Sequence, residues 1–130
     1  MTLILKKAST KVKMAMLASG ALSAKLFIPG WRMSMYLRQI KDLDDNEDYI
    51  VSIVVAYMDN VPIGVCISQR WYRYKNPYIS VFVRKKYRRL GIGTKMVKRM
   101  MGKKPGFRYE RGIEGSAKFF QQWRAAVDYS

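Results

Sequence analysis

At 130 residues the chain is long enough to bury one core and too short for two, so residues 1–130 are expected to form a single domain. A hydrophobic content of 49% with 13% aromatics excludes a disordered polymer, and the absence of histidine with one cysteine excludes a Ser-His triad, the usual zinc sites and an intramolecular disulfide. The 25 basic and 9 acidic side chains leave a net charge of +16, which favours a polyanionic or acidic partner.

Met1–Leu5 is the first expected strand. Lysines at 6, 7, 11 and 13 interrupt any signal-type apolar core, and no window reaches the ~18 apolar residues of a membrane span. A soluble cytoplasmic protein is the expectation, with no membrane contact. Thr10–Ser23 places Met14, Leu17, Ala18, Ala21 and Leu22 on one helical face. Ile28-Pro29-Gly30 breaks the chain, and Trp31–Gln39 is expected as a second short helix. The acidic run Asp42–Asp48 reads as a loop. Tyr49–Met58 is β-rich, turns at Asp59-Asn60 and returns through Val61–Ser68, an antiparallel hairpin in which Gly64 marks a bulge.

Cys66 lies inside that returning run and is read as a small buried strand residue rather than a nucleophile. The segment Arg70–Pro77, with Trp71, Tyr72 and Tyr74 among Arg70, Arg73 and Lys75, is either an edge turn or an aromatic-basic surface of the kind that binds single strands or RNA. Tyr78–Val83 is the next strand. Thr94–Met101 carries Met96, Val97, Met100 and Met101 at helical spacing, and Gly102 with Pro105 ends it. Phe107–Glu110 is a fifth strand, and Ser116–Val127 a last helix capped by Ser116. The nine methionines are read as adaptable core filler.

Between strand and helix stands Val83-Arg-Lys-Lys-Tyr-Arg-Arg-Leu-Gly-Ile-Gly-Thr94. A strand that turns through glycines into a helix start presents unpaired N–H groups and the positive end of the helix dipole. Gly91 and Gly93 clear side chains from the backbone, and Arg88 and Arg89 add charge-assisted donors, so the stretch reads as a pyrophosphate cradle. A solvated basic turn would share the spacing. Gly93-Thr94-Lys95 inverts the order of a Walker loop, and the third glycine of a Rossmann turn is missing.

The order Val83-x-x-x-Tyr87-Arg88-x-x-Gly91-x-Gly93 resembles the acetyl-CoA signature of the GNAT superfamily of N-acetyltransferases, with Lys85 where a proline is usual. The tight resemblance covers about a dozen residues, and element order extends it along the chain. It implies an α+β fold in three layers (α/β/α): a mixed, mainly antiparallel sheet flanked by helices, C-terminally truncated and open to completion by a partner subunit, as in a homo-oligomer. It further implies acetyl-CoA as cofactor, its arm on the backbone of Val81, Phe82 and Val83. The N–H groups of Leu90, Gly91, Ile92, Gly93 and Thr94 would take the pyrophosphate, with Arg88, Arg89 and Lys95 on the phosphates.

Catalytic groups are less defined. The strand before the loop has no carboxylate, and Ser80 is its only polar side chain apart from Tyr78. Glu110 and Glu47 are candidate bases, as is Glu114, although exposed glutamates are usually just solvated. The family's Asn and Tyr on the last helix register best with Ser116 and Trp123, which makes both candidates to flank the thioester and leaves no acidic proton at 123; Tyr129 is nearby in sequence.

The leading expectation is an N-acetyltransferase acting on an amine of a macromolecule, a protein lysine or N-terminus or an aminoacyl-tRNA. The alternative is a non-catalytic basic protein that grips RNA, DNA or an acidic protein on the same scaffold. Charge segregation serves both: residues 1–41 hold eight basic side chains and no acid, residues 42–59 six acids and no base, and residues 60–130 seventeen basics and three acids. A basic composition kept for solubility alone would look similar. No metal is expected.

Overall fold

The computed structural model describes residues 2–23, 27–28, 31–32, 38, 49–71, 76–102, 107–109, 119, 122 and 126–128. Strand β1 (Leu3–Ala8) leads into helix α1 (Lys11–Ser23). Two short strands follow, β2 (Phe27–Ile28) and β3 (Trp31–Arg32), then the long hairpin of β4 (Tyr49–Met58) and β5 (Val61–Trp71). Next come β6 (Tyr78–Val83), a single 3-10 turn (Lys85–Tyr87) and α2 (Ile92–Met101). The described chain ends with β7 (Phe107–Tyr109) and β8 (Ala126–Asp128). The main sheet has the order β1-β4-β5-β6-β7-β8; the first three pairings are antiparallel and the last two parallel. This is the expected α+β arrangement, with helices packed on the two faces of a mixed sheet.

Alternation along the strands divides the core between those faces. Val51, Ile53, Val55, Val65 and Ile67 pack with Met14 and Ala18 of α1. Val54, Ala56, Cys66 and Ile79 pack with Ile92, Met96, Val97, Met100 and Met101 of α2. A sheet covered on both faces needs apolar side chains on both, which is why Tyr49–Met58 is almost uniformly hydrophobic rather than alternating. Met14, Met58, Met96, Met100 and Met101 are buried, in keeping with core filler, whereas Met16 on α1 is exposed and departs from it.

The hairpin turns at Asp59 (φ 50) and Asn60 (φ 69), the two left-handed positions that a two-residue turn requires and that these residue types tolerate. The bulge falls beside Gly64: Ala56 faces Gly64 while Tyr57 faces Pro62, so Ile63 is the extra residue. Both Ile63 and Gly64 consequently turn toward α2, and the free carbonyl of Ile63 accepts the N–H of Arg84 at 2.8 Å. The bulge thereby holds the start of the basic loop.

Four expectations are corrected. The first strand runs over Leu3–Ala8 instead of ending at Leu5, because the full ladder from Leu3↔Met58 to Ala8↔Ile53 outweighs the poor strand propensity of Lys6 and Lys7. Lys7 also reaches the last turn of α2, donating from Nζ to the Met100 carbonyl at 3.3 Å, where the helix dipole favours a cation. Trp31 and Arg32 are strand, not helix, since they pair antiparallel with Ile28 and Phe27 across a Pro-Gly dipeptide suited to turns. Strand β5 continues through Arg70 to Trp71, opposite Tyr49, so the aromatic-basic connector begins inside the sheet; its residues 72–75 lie outside the described residues. Of the last helix, expected over Ser116–Val127, Phe119 is helical, but Ala126 and Val127 belong to β8, which pairs parallel with β7 from Phe107↔Ala126 to Tyr109↔Asp128.

Cys66 is fully buried, and burial pushes its thiol well up from the ordinary range against the smaller opposing influence of Lys7. The reactive thiolate is therefore absent near neutral pH. Iodoacetamide is expected to leave the native protein unmodified at neutral pH and to alkylate Cys66 after urea unfolding, as read by intact mass. Rapid alkylation of the native protein would contradict this packing. Among the described residues no helix is long and apolar enough to cross a membrane.

Candidate functional site

The site is assembled where β6 leaves the sheet. Along one edge β6 pairs with β5 from Gln69↔Tyr78 to Gly64↔Val83. Along the other, its registered pair with β7 is Tyr78↔Arg108 alone among the described residues. That pair lies at the N-terminal end of β6. Val81 and Val83 turn their side chains toward α2, and Phe82 turns toward α1. Ser80, half-buried and opposite Ile67, shares the α1 side with Phe82.

The chain then tightens. The Tyr87 N–H is donated to the Arg84 carbonyl at 2.8 Å, and that of Arg88 to the Lys85 carbonyl at 3.3 Å. Arg89 (φ 66) and Gly91 (φ 78) both take left-handed backbone, which turns the loop into the first turn of α2. Gly91 caps that helix without any side-chain hydrogen bond, and the Lys95 N–H is the first to join the helical ladder, at 3.0 Å from the Gly91 carbonyl. The N–H groups of Ile92, Gly93 and Thr94 precede the ladder, and no backbone acceptor meets them among the described residues. The first turn of α2 carries no acidic residue, so its positive dipole end is not balanced from within.

The two glycines do different work. A Cβ at Gly91 would meet nothing within 4 Å, so that position is glycine for its φ and for open space at the helix start. Gly93 is buried, and a Cβ there would stand 3.0 and 3.1 Å from the Phe119 ring and 3.5 Å from Val81 Cγ1. It permits α2 to approach Phe119 and β6 closely, a packing duty that the spacing of the glycines did not reveal.

The basic side chains are also differentiated. Arg88 folds back, donating from Nε to the Val83 carbonyl at 2.8 Å with its guanidinium 5.7 Å from the Phe82 ring centre. It braces the end of β6 while the rest of its planar fork stays on the exposed side of the loop. Lys86 lies 5.6 Å over the Tyr87 ring, and that ring packs into the core under α2. Arg89, Leu90 and Lys95 are exposed.

The structure thus brings Val81, Phe82, Val83, Arg88, Arg89, Leu90, Gly91, Ile92, Gly93, Thr94 and Lys95 into one strand–loop–helix junction. Glu47, Glu110, Glu114, Ser116, Trp123 and Tyr129 lie outside the described residues. Two participants had no sequence signal specific enough to find them. Phe119 covers Gly93, and Gln122 accepts the Thr94 hydroxyl at 3.2 Å while donating to the Phe119 carbonyl at 2.9 Å. Among the described residues no cluster of acidic or sulfur ligands could hold a metal ion.

A mixed sheet that feeds an acid-free basic loop into a helix N-terminus defines an α+β protein with a positively charged strand–loop–helix junction. Residues 20–121 match the family profile described as the acetyltransferase (GNAT) family. The chain belongs to that family, and is accordingly an acetyl-CoA-dependent N-acetyltransferase. No curated protein sequence matches it.

Solved structures share its fold at low identity. A ribosomal-protein-alanine N-acetyltransferase from Brucella melitensis is 14% identical with a TM-score of 0.60, over 99% of this chain and 96% of that one. The PaiA N-acetyltransferase from Thermoplasma acidophilum, in complex with coenzyme A, is 14% identical with a TM-score of 0.56, over 94% and 88% of the two chains. A longer GNAT acetyltransferase from Streptococcus pneumoniae, 13% identical over 78% of this chain and 66% of that one, has a TM-score of 0.48 and does not count toward the fold.

Proposed function

We propose that this protein transfers the acetyl group of acetyl-CoA to an amine borne by a macromolecule, a protein lysine or N-terminus or an aminoacyl-tRNA. The observation that carries the cofactor half is the unladdered Ile92, Gly93 and Thr94 N–H groups beneath an acid-free basic loop. In this reading those N–H groups, with those of Leu90 and Gly91, take the pyrophosphate. Arg88, Arg89 and Lys95 pair with phosphate oxygens, and the β6 backbone at Val81 and Val83 receives the amide-bearing arm by strand-like hydrogen bonding. The cofactor supplies the activated thioester. The chain's own task is to hold it beside the amine and to remove a proton from the incoming ammonium.

Glu110, the residue after β7, is the proposed base because β7 is the strand that pairs with β6. Glu47 and Ser116 are the alternative groups, and Trp123 would line the thioester side without donating a proton. The macromolecular acceptor is supported by the charge of +16, which exceeds what the few phosphates of a CoA require. A family relative of the same fold is itself named for acetylating a ribosomal protein.

Isothermal titration with acetyl-CoA tests the first half. Saturation in the micromolar range is expected, and no heat at ~100 μM ligand would overturn it. Radiolabelled acetyl transfer to lysine peptides, free-N-terminal peptides and aminoacyl-tRNA, against small polyamines and aminoglycosides, tests the second. Turnover of only the small amines would refute the macromolecular acceptor. Glu110→Gln is expected to lower kcat by ~10²-fold or more with acetyl-CoA affinity retained. A loss confined to Glu47→Gln or Ser116→Ala would move the base there.

A further inference from the structure

The cofactor leaves part of the basic surface without a task. No acidic residue occurs between Asp59 and Glu110, and every charged side chain of that span is a lysine or an arginine. On α2 the apolar residues Ile92, Met96, Val97, Met100 and Met101 are all buried, while Lys95, Lys98 and Arg99 are exposed. Lys98 and Arg99 lie in the last turn, about 9 Å along the axis from the anion-accepting end. The loop adds exposed Lys85, Lys86 and Arg89. The helix dipole accounts for cations near the C-terminus of α2. It does not account for a band that begins at the opposite end and contains no acid.

We propose that the exposed band formed by Lys85 and Lys86 of the loop and Lys98 and Arg99 of α2, on either side of the Arg89 and Lys95 given to the cofactor, is a docking track for the phosphate backbone of RNA. Composition selects this partner among polyanions. A membrane-surface helix needs an exposed apolar face to insert, and that of α2 is spent on the core. Protein interfaces bury apolar and aromatic anchors and are depleted in lysine, whereas Leu90 is the one large apolar side chain exposed in this band. A surface of cations alone suits a polymer whose affinity comes from neutralised phosphates and released counterions. The inference goes beyond acetyl transfer and holds whether or not the amine acceptor is itself RNA-borne.

The test uses the full chain and a fluorescein-labelled RNA hairpin, followed by anisotropy at several salt concentrations. Binding is expected to weaken roughly 100-fold between ~50 and ~200 mM salt. In the Lys98→Gln/Arg99→Gln double variant, the log–log salt slope should become shallower by about 1.4–1.8, the value of two lost phosphate contacts. Acetyl-CoA titration of the double variant should match the parent, which keeps the track distinct from the cofactor site. Four results would overturn the proposal: no RNA binding at ~50 mM salt, an unchanged slope in the variant, a parallel loss of acetyl-CoA affinity, or polyglutamate or phosphatidylserine vesicles bound as tightly as RNA.

Discussion

Gly93→Val is expected to lower acetyl-CoA affinity at least ~10-fold and to destabilise the fold by about 1–3 kcal/mol, the range for overpacking a filled site. The position is buried, and even a methyl group there would press on the Phe119 ring at 3.0 and 3.1 Å, with Val81 behind it at 3.5 Å. Valine adds two more methyl groups where there is no room for one. Relief requires Phe119 to move off or the first turn of α2 to lift away from β6, and either shifts the N–H groups that precede the helical ladder.

Gly91 supplies the contrast. A side chain there meets nothing within 4 Å, so Gly91→Ala acts only through its φ of 78, at about 1–2 kcal/mol. Asparagine tolerates left-handed backbone, and Gly91→Asn should recover most of that loss, whereas no residue larger than glycine should recover position 93. Urea denaturation and calorimetric titration read both effects. Parent-like acetyl-CoA affinity in Gly93→Val would show that the close approach of α2 to Phe119 is not what aligns the site.

Met96→Ala is expected to cost about 2–5 kcal/mol, a large share of the 5–15 kcal/mol typical of a domain. Met96 is fully buried in the core that joins α2 to the sheet, and its Sδ and Cε lie directly over Gly64, where an added Cβ would meet Cε at 3.0 Å. Truncation leaves a cavity under the middle of α2 that neighbouring strands, held in register by the hairpin, close only in part. The urea midpoint should fall at unchanged m-value, while Met96→Leu, which nearly conserves volume, should cost under ~1.5 kcal/mol. A loss below ~1 kcal/mol in the alanine variant would contradict this packing.

Local chemistry made much of the molecule legible. Asp59-Asn60 announced a two-residue hairpin because both positions need left-handed backbone, and both have it. Met96, Val97, Met100 and Met101 fall on one side of a 3.6-residue period, and that side is the buried one. Arg88, Gly91 and Gly93 signalled a helix start open to an anion, and their order carried the family resemblance. The misreadings share a different origin. Trp31-Arg32 and Ala126–Asp128 are short segments whose strand character comes from a partner elsewhere in the chain. Lys6 and Lys7 extend β1 only because β4 lies beside them.

The site divides along the same line. Residue order by itself determined the junction's location, its positive charge and its helix N-terminus, since each follows from neighbours a few positions apart. Which glycine serves the backbone and which the packing was decided by Phe119, 26 residues further on. Arg88 as a brace on Val83, Gln122 on the Thr94 hydroxyl and the parallel pairing of β6 with β7 likewise exist only in the assembled fold. Local sequence sets φ preferences and periodicity. Distances between side chains far apart in the chain are set by how the sheet and helices close on one another.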